Sequence, residues 1–254
     1  MKKDISFMRI VGFFFFLLIL WQVLVWLSIW PTYIFPTPSL VISIILNGIM
    51  DKSILSAALA SLYRMFLGFG IALAIGILLG LLLSQYKILV DTIGHLILGL
   101  QTLPSVCWLP LAILWFGLND KAIIFITVIG AVCSITMAVE GGIRNVPPLY
   151  INAAKTMGAK NTNMYLSVIF PAAMPTIITG IRQGWSFAWR SLMAGELIFS
   201  TIGLGQLLQI GRELNDINQV VAIMFVIMSL GLLIERLVFA KLEISIRKKW
   251  GLLK

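Results

Sequence analysis

Charge is scarce in this chain. Only 11% of its 254 residues are Asp, Glu, Lys or Arg, against 60% hydrophobic, and the mean hydropathy is +1.02. A water-soluble domain of this length needs a charged surface. So few charges cannot cover one, and the chain reads as an integral membrane protein with several spans. Acids are scarcer than bases, 10 against 19, for a formal charge of +9. Such a balance points to nucleic acid when the cations form a patch on a soluble domain. Here they sit mostly in short connections between apolar runs, so no nucleic-acid partner is expected. There is one histidine, His95, with no carboxylate or second His at ligand spacing. The two cysteines, Cys107 and Cys133, form no CxxC pair and are expected to be small buried apolar residues. No metal is expected. HExxH, GxSxG and paired aspartates at helix spacing are all missing, which excludes the common intramembrane enzyme chemistries. GxxxxGK[ST] is missing too, so the chain has no phosphate-cradling loop of its own, and no cofactor is expected on it.

What is present is a series of long apolar runs, expected as a single all-α membrane domain over 1–254. Six spans fit, near 9–30, 62–83, 88–115, 121–140, 172–197 and 218–240. The first, between Arg9 and Trp30, is long enough to span. No small-residue cleavage site follows it, so it is expected to be retained rather than removed as a signal peptide. The segment 31–60, with Pro31, Pro36 and Pro38, has the mixed polar and apolar character of a helix lying along the outer interface. Gly76 and Gly80 in the second span form a GxxxG pair that permits close helix packing. Pro104 and Pro110 are expected to interrupt the third span. Lys2, Lys3, Arg9, Lys87, Arg144, Lys155, Lys160, Arg236, Lys241, Arg247, Lys248, Lys249 and Lys254 fall on one side of this arrangement. Only Lys52, Lys121 and Arg212 fall on the other. The positive-inside rule then places both termini and the loop between spans four and five in the cytoplasm.

That loop is the most informative stretch. Pro147-Pro148 fits the first turn of a helix, where missing N–H groups cost little. Leu149 to Met157 are good helix formers, and Gly158 fits a left-handed stop. A second short helix over about 160–169 is expected to run into Pro171, making a helix-turn-helix in the cytoplasm. Ala153 and Ala154 are small enough for another protein to approach the backbone, with Leu149, Tyr150 and Met157 as apolar contacts around them.

The spacing of Asn152-Ala153-Ala154, three residues, Gly158, nine residues, Val168-x-Phe170-Pro171 resembles the coupling loop of bacterial ABC importer permeases. That family has Glu-Ala-Ala, Gly and Ile-x-Leu-Pro at these places, so Asn152 stands where the family carries a carboxylate. The resemblance extends from about Phe35 to Trp250. Pro36-Thr37-Pro38, Ser61-Leu62-Tyr63-Arg64 and Gly68-Phe69 are similar to family motifs. Pro104 to Leu111, Trp115-Phe116-Gly117, Pro171 to Pro175, Gly180-Ile181-Arg182 and Gly203-Leu204-Gly205 resemble the branch that imports nitrate, sulfonates, taurine and bicarbonate. The resemblance implies a type I, methionine-permease-like fold of six transmembrane helices with a cytoplasmic coupling helix over the 145–170 loop. It also implies an assembly of two permease copies, two cytoplasmic ATPase subunits carrying ATP and Mg, and an external solute-binding protein, in a bacterial cytoplasmic membrane. Asn152, Ala153, Ala154, Met157, Gly158 and Pro171 are the implied ATPase-coupling residues. The chain itself would do no covalent chemistry.

Span five carries unusual charge. On a helix, Arg182, Trp185, Trp189, Met193 and Glu196 share one face, and Gln183, Ser186 and Arg190 form the neighbouring stripe. An arginine near mid-membrane costs about 2.5–3.5 kcal/mol on insertion scales, so it needs a watery cavity or a partner. Two readings stay open. In one, Arg182 and Arg190 attract an anion, Trp185 and Trp189 line the path, and Glu196 lies at its outer end. In the other, Arg190 pairs with Glu196 or Glu140 and the tryptophans pack between helices. Arg64 is expected to snorkel from the outer end of span two. The loop 199–217 is expected to face outward, either as an ordinary solvated loop or as a contact for the binding protein. The leading function is an ATP-driven importer permease for a small anion, working by alternating access. The alternative, a gradient-driven transporter or channel, would need a carboxylate deep in the membrane, and Glu140, Glu196 and Asp91 all lie near span ends.

Overall fold

A computed structural model describes residues 2–27, 31, 34–199 and 201–249. The expected span end at Trp30, and Trp250 and Lys254, lie outside the described residues. Among the described residues the chain is helical throughout, in the order α1 (Lys2–Trp26), α2 (Pro38–Met50), α3 (Ser53–Gln85), α4 (Lys87–Leu89), a π turn (Val90–Gly94) and α5 (His95–Thr102). A 3₁₀ turn (Ser105–Trp108) leads into α6 (Leu109–Phe116), followed by α7 (Asp120–Arg144), α8 (Pro148–Thr156), α9 (Asn161–Met164), a π turn (Tyr165–Ile169) and α10 (Phe170–Glu196). Last come α11 (Leu204–Glu213), α12 (Ile217–Ile234), a π turn (Glu235–Ala240) and α13 (Lys241–Lys249).

Four helices are long and apolar enough to cross a membrane: Ser53–Gln85, Asp120–Arg144, Thr162–Glu196 and Ile217–Ile244. These are the expected spans two, four, five and six. Two of them, Ser53–Gln85 and Thr162–Glu196, begin well before the apolar core that marks them in sequence. The third span is a pair of helices, Lys87–Thr102 and Ser105–Phe116, bent by 99°. Pro104 sits in the break, as its missing N–H requires. Pro110 does not interrupt a helix; it occupies the first turn of α6, where no donor is needed. The first span is the short apolar helix Gly12–Trp26 within α1, less than a full crossing among the described residues. The segment expected as one interface helix over 31–60 is instead α2, capped by the Thr37 hydroxyl accepting from the Leu40 N–H, then a turn at Asp51–Lys52 and the first two turns of α3.

The chain divides into two compact units, 1–60 with 202–229, and 61–201 with 230–254. In the first, Trp21 stacks on Phe225 with ring centroids 5.6 Å apart, and its indole N–H donates to the Pro36 carbonyl at 2.9 Å. The loop expected over 199–217 contains α11. Its Gly211 abuts Gln219 and Val220 so closely that a Cβ there would lie 3.1 Å from a Val220 methyl. Gly203 and Gly205 are buried at the start of this helix, so the stretch is not an ordinary solvated loop.

The second unit is organised by α7. Gly68, Gly76 and Gly80 on α3 lie against Thr127, Ile135 and Val139 of α7; a Cβ on Gly76 would come within 2.8 Å of Ile135 and one on Gly80 within 2.6 Å of Val139. The GxxxG pair therefore does what its spacing allows. Because the contacts advance together along both helices, α3 and α7 run parallel. On the other side, α7 packs against α10 through Gly142 on Ile177, Gly180 on Ala138 and Gly184 on Ile135. Here one number rises as the other falls, so α7 and α10 run antiparallel. The end of α3, the end of α7 and the start of α10 consequently lie at one end of this unit.

Candidate functional site

At that end stands an elbow between α7 and α10. α8 opens on Pro148 and closes at Met157. The Gly158 N–H donates to the Lys155 carbonyl at 3.0 Å and the Ala159 N–H to the Ala154 carbonyl at 2.9 Å. Gly158 itself takes φ +85°, the left-handed stop that its sequence position predicts. Gly158→Ala is expected to lower thermal stability by about 1 kcal/mol, the cost of a Cβ in a left-handed cap, as read from the unfolding midpoint in detergent.

The return arm differs from expectation. Residues 162–196 form one helix, so 160–169 is not a separate helix ending at Pro171. A π turn over Tyr165–Ile169 precedes the proline and absorbs its missing N–H within a continuous helix. Asn152, Ala153, Met157 and Gly158 are exposed, Met157 at 88%. Ala154 is not a surface residue. At 7% exposure it packs inside the elbow, because the return arm lies across that face of α8. Tyr150, Ala153, Ala154, Met157, Ser167, Val168 and Ala172 line a shallow pocket of about 290 Å³ in the crook. Pro171, half-buried, starts α10 beneath it.

The span arginines separate into three situations. Arg64 does not snorkel. It is 4% exposed, and it donates to Glu196 Oε1 at 2.8 Å and Asp120 Oδ1 at 3.0 Å, while the Ser61 hydroxyl donates to Glu196 Oε2 at 2.7 Å. Glu196 is wholly buried in this cluster and pairs with Arg64 rather than with Arg190. Arg182 is clasped by two carboxylates from the last span, Glu235 and Glu243, the latter at 2.9 Å. Arg190 has neither expected partner, since Glu140 pairs with Arg144 at 3.3 Å. It is exposed, its Nε donates to the Ser186 carbonyl at 3.2 Å, and its guanidinium lies 4.8 Å from the Phe187 ring centroid. Trp185 and Trp189, 3% and 9% exposed, stack on one another at 6.4 Å. Trp185 also meets Phe66, Phe69 and Phe239, so both tryptophans are packed in the core of this unit.

The exposed face of α10 is the neighbouring stripe. Thr176, Thr179, Gln183, Ser186 and Arg190 follow at three- and four-residue steps, all exposed or half-buried, opposite a buried face of small, aliphatic and tryptophan residues. Near the elbow, Thr176, Thr179 and Gln183 line an open groove with Ala138 and Pro175. Further along, Arg190 borders a pocket walled by the break between α5 and α6. Cys107 is exposed and Cys133 half-buried in that pocket's wall, so neither is the buried residue expected. The two threonines were legible from their spacing and were missed because α10 was read by its charges. The partners of Arg64 and Arg182 come from helices far away in sequence and left no signal there.

Comparison with known proteins places this geometry. Residues 72–242 match the family described as binding-protein-dependent transport system inner membrane component. The chain is 29% identical to the nitrate import permease protein of Synechocystis sp., covering 76% of this chain and 70% of the relative. It is 31% identical to the bicarbonate transport system permease protein of Synechococcus elongatus, covering 76% and 69%. Identity to the taurine transport system permease protein of Escherichia coli is 29%, covering 86% and 82%. The fold is that of a solved chain of the MetNI methionine ABC transporter in an inward-facing conformation, at TM-score 0.66 and 19% identity, over 78% of this chain and 97% of that one. A family match over most of the chain, with relatives that are permease proteins over most of their own length, leads to one conclusion: this protein belongs to the binding-protein-dependent inner membrane components, the permease subunits of ABC importers, whose ATPase is a separate subunit.

Proposed function

We propose that two copies of this chain form the passage of an importer for a small anion, driven by a pair of cytoplasmic ATPase subunits and fed by an external binding protein. The observation that carries the coupling is the elbow. It offers an exposed methionine, a small exposed alanine and a shallow apolar pocket at the end of the helix pair α7 and α10. In water such a knob is a liability, and in a cleft of a soluble partner it is buried. Helix direction supports a cytoplasmic elbow. Lys87, Arg144, Lys155 and Lys160 follow from the ends of α3 and α7 that lie together, whereas Lys121 opens α7 at the opposite end. That asymmetry is the positive-inside pattern in three dimensions.

The passage is assigned to the polar stripe of α10, from Thr176 to Arg190, since an exposed polar row in a span needs water or a partner chain beside it. Arg182 holds the last span against α10 through Glu235 and Glu243. Alternating access would then follow from α8 being pushed by ATPase closure and passing that push through the continuous helix 162–196. A gradient-driven transporter is less well served: Glu196, the most deeply buried carboxylate, already has Arg64 and Ser61 as fixed partners.

The test is Met157→Asp. Burying a Met side chain contributes about 2 kcal/mol, so the variant should hold the ATPase roughly thirtyfold more weakly, with insertion and yield unchanged. Co-purification of an unaltered amount of ATPase would overturn the coupling assignment. So would labelling of an Ala153→Cys variant from outside intact cells by an impermeant thiol reagent.

A further inference from the structure

Of the three arginines set well inside the spans, Arg64 and Arg182 are held by carboxylates and Arg190 is not. Its Nε is occupied by the Ser186 carbonyl and its guanidinium lies over the Phe187 ring, while its two terminal nitrogens have no carboxylate among the described residues. That free edge is the part of a guanidinium that grips two oxygens of one anion at once.

Arg190 borders a pocket of about 300 Å³ within the second unit, enclosed by the helix break at Leu103–Pro104, by Gly130 and Cys133 of α7, and by Phe187 and Ser191 of α10. No acidic side chain lines it. Thr102 and Ser191 already donate their hydroxyl protons to the Gly99 and Phe187 carbonyls, at 2.7 and 2.8 Å. The donors on the wall that complement Arg190 are therefore the Gln101 amide and the Ser105 hydroxyl. The remaining wall is largely apolar, which raises the effective strength of a single charge. The two helices that form this wall pack closely: Ser191 lies where a Cβ on Gly130 would be.

We propose that this pocket is a holding station for a small monoanion bearing at least two terminal oxygens, of the nitrate, bicarbonate or sulfonate type, gripped by the outer edge of Arg190. One unpaired cation per pocket matches one negative charge, so a dianion such as sulfate is disfavoured by its uncompensated second charge. The apolar wall tolerates a short alkyl tail. The inference rests on the importer reading for the anion's route, but the pocket itself is intact in one chain and does not need the ATPase.

Cys133 in the wall is a built-in reporter. In a Cys107→Ala background, purified with its ATPase and returned to liposomes, the rate of Cys133 modification by a small neutral thiol reagent should fall at least fivefold with sodium nitrate. Sodium sulfate at equal ionic strength and the neutral solute glycerol should leave it unchanged. Arg190→Gln should shift half-protection to at least tenfold higher nitrate, and Arg190→Lys should restore part of it, with unfolding midpoints confirming that all variants are folded. Equal protection by sulfate, equal protection in Arg190→Gln, or no protection by nitrate, bicarbonate or methanesulfonate overturns the station. ATP-driven uptake in the same liposomes tests the importer reading separately. Uptake without any protection removes the station alone. Protection that survives in Met157→Asp, where coupling is broken, shows the station standing independently of the engine.

Discussion

Glu196→Ala is expected to destabilise the protein by about 3–5 kcal/mol, the range for removing one partner of a buried ion pair. The partner left behind, Arg64, is 4% exposed and donates through a terminal nitrogen to Glu196 and through Nε to Asp120. Asp120 is half-exposed and keeps its bond, which holds the loss toward the lower end. Arg64→Ala should cost more, because it removes the counter-charge of a carboxylate with no solvent exposure. The cluster joins the start of α3, the start of α7 and the end of α10, so its loss loosens the end of the unit farthest from the elbow. Replacing the pair together, Arg64→Met with Glu196→Leu, should recover most of the loss, since neither charge is then left alone. Unfolding midpoints of the two single variants and the pair form a cycle. Additive losses, with the pair worst of all, would show that the charges do not stabilise one another.

The second large effect belongs to the contact of α7 with α10. A Cβ on Gly180 would overlap the Cβ of Ala138, with the Ala138 backbone only 3.3 Å away. Neither helix can yield: Gly184 meets Ile135 one turn further on, and Gly142 meets Ile177 one turn back. Gly180→Val should therefore push the two helices apart, at an overpacking cost of about 1–3 kcal/mol or more. Transport should fall further than stability, because α10 carries both the polar stripe and the continuous connection to the elbow. Gly180→Ala combined with Ala138→Gly returns the lost space and should restore the unfolding midpoint. If Gly180→Val unfolds and transports like the parent, the close approach is not what holds α10 in register.

How far sequence reasoning reached depends on the range of the interaction. The elbow was legible nearly atom by atom, from the proline start to the left-handed stop at Gly158, because caps and stops involve neighbours in the chain. It failed at Ala154 and at the return arm. Which side of a short helix is covered depends on what lies across it, and Pro171 could either end a helix or sit inside one relieved by a π turn. Gly76 and Gly80 signalled a close neighbour but not its identity. The charges were the hardest. Arg64, Arg182 and Arg190 look equivalent as isolated arginines in apolar runs, and only the folded chain brings Glu196, Glu235 and Glu243 to two of them and none to the third.

By itself, the order of residues determined that this is a helical membrane protein with a family-specific elbow. Those features rest on hydropathy, spacing and backbone conformation, which are local. Tertiary structure alone decided which face of α10 is core and which is open, and which cation remains available. A buried charge is settled by whatever counter-charge packing brings within about 3 Å, and such a partner can come from any distance along the chain.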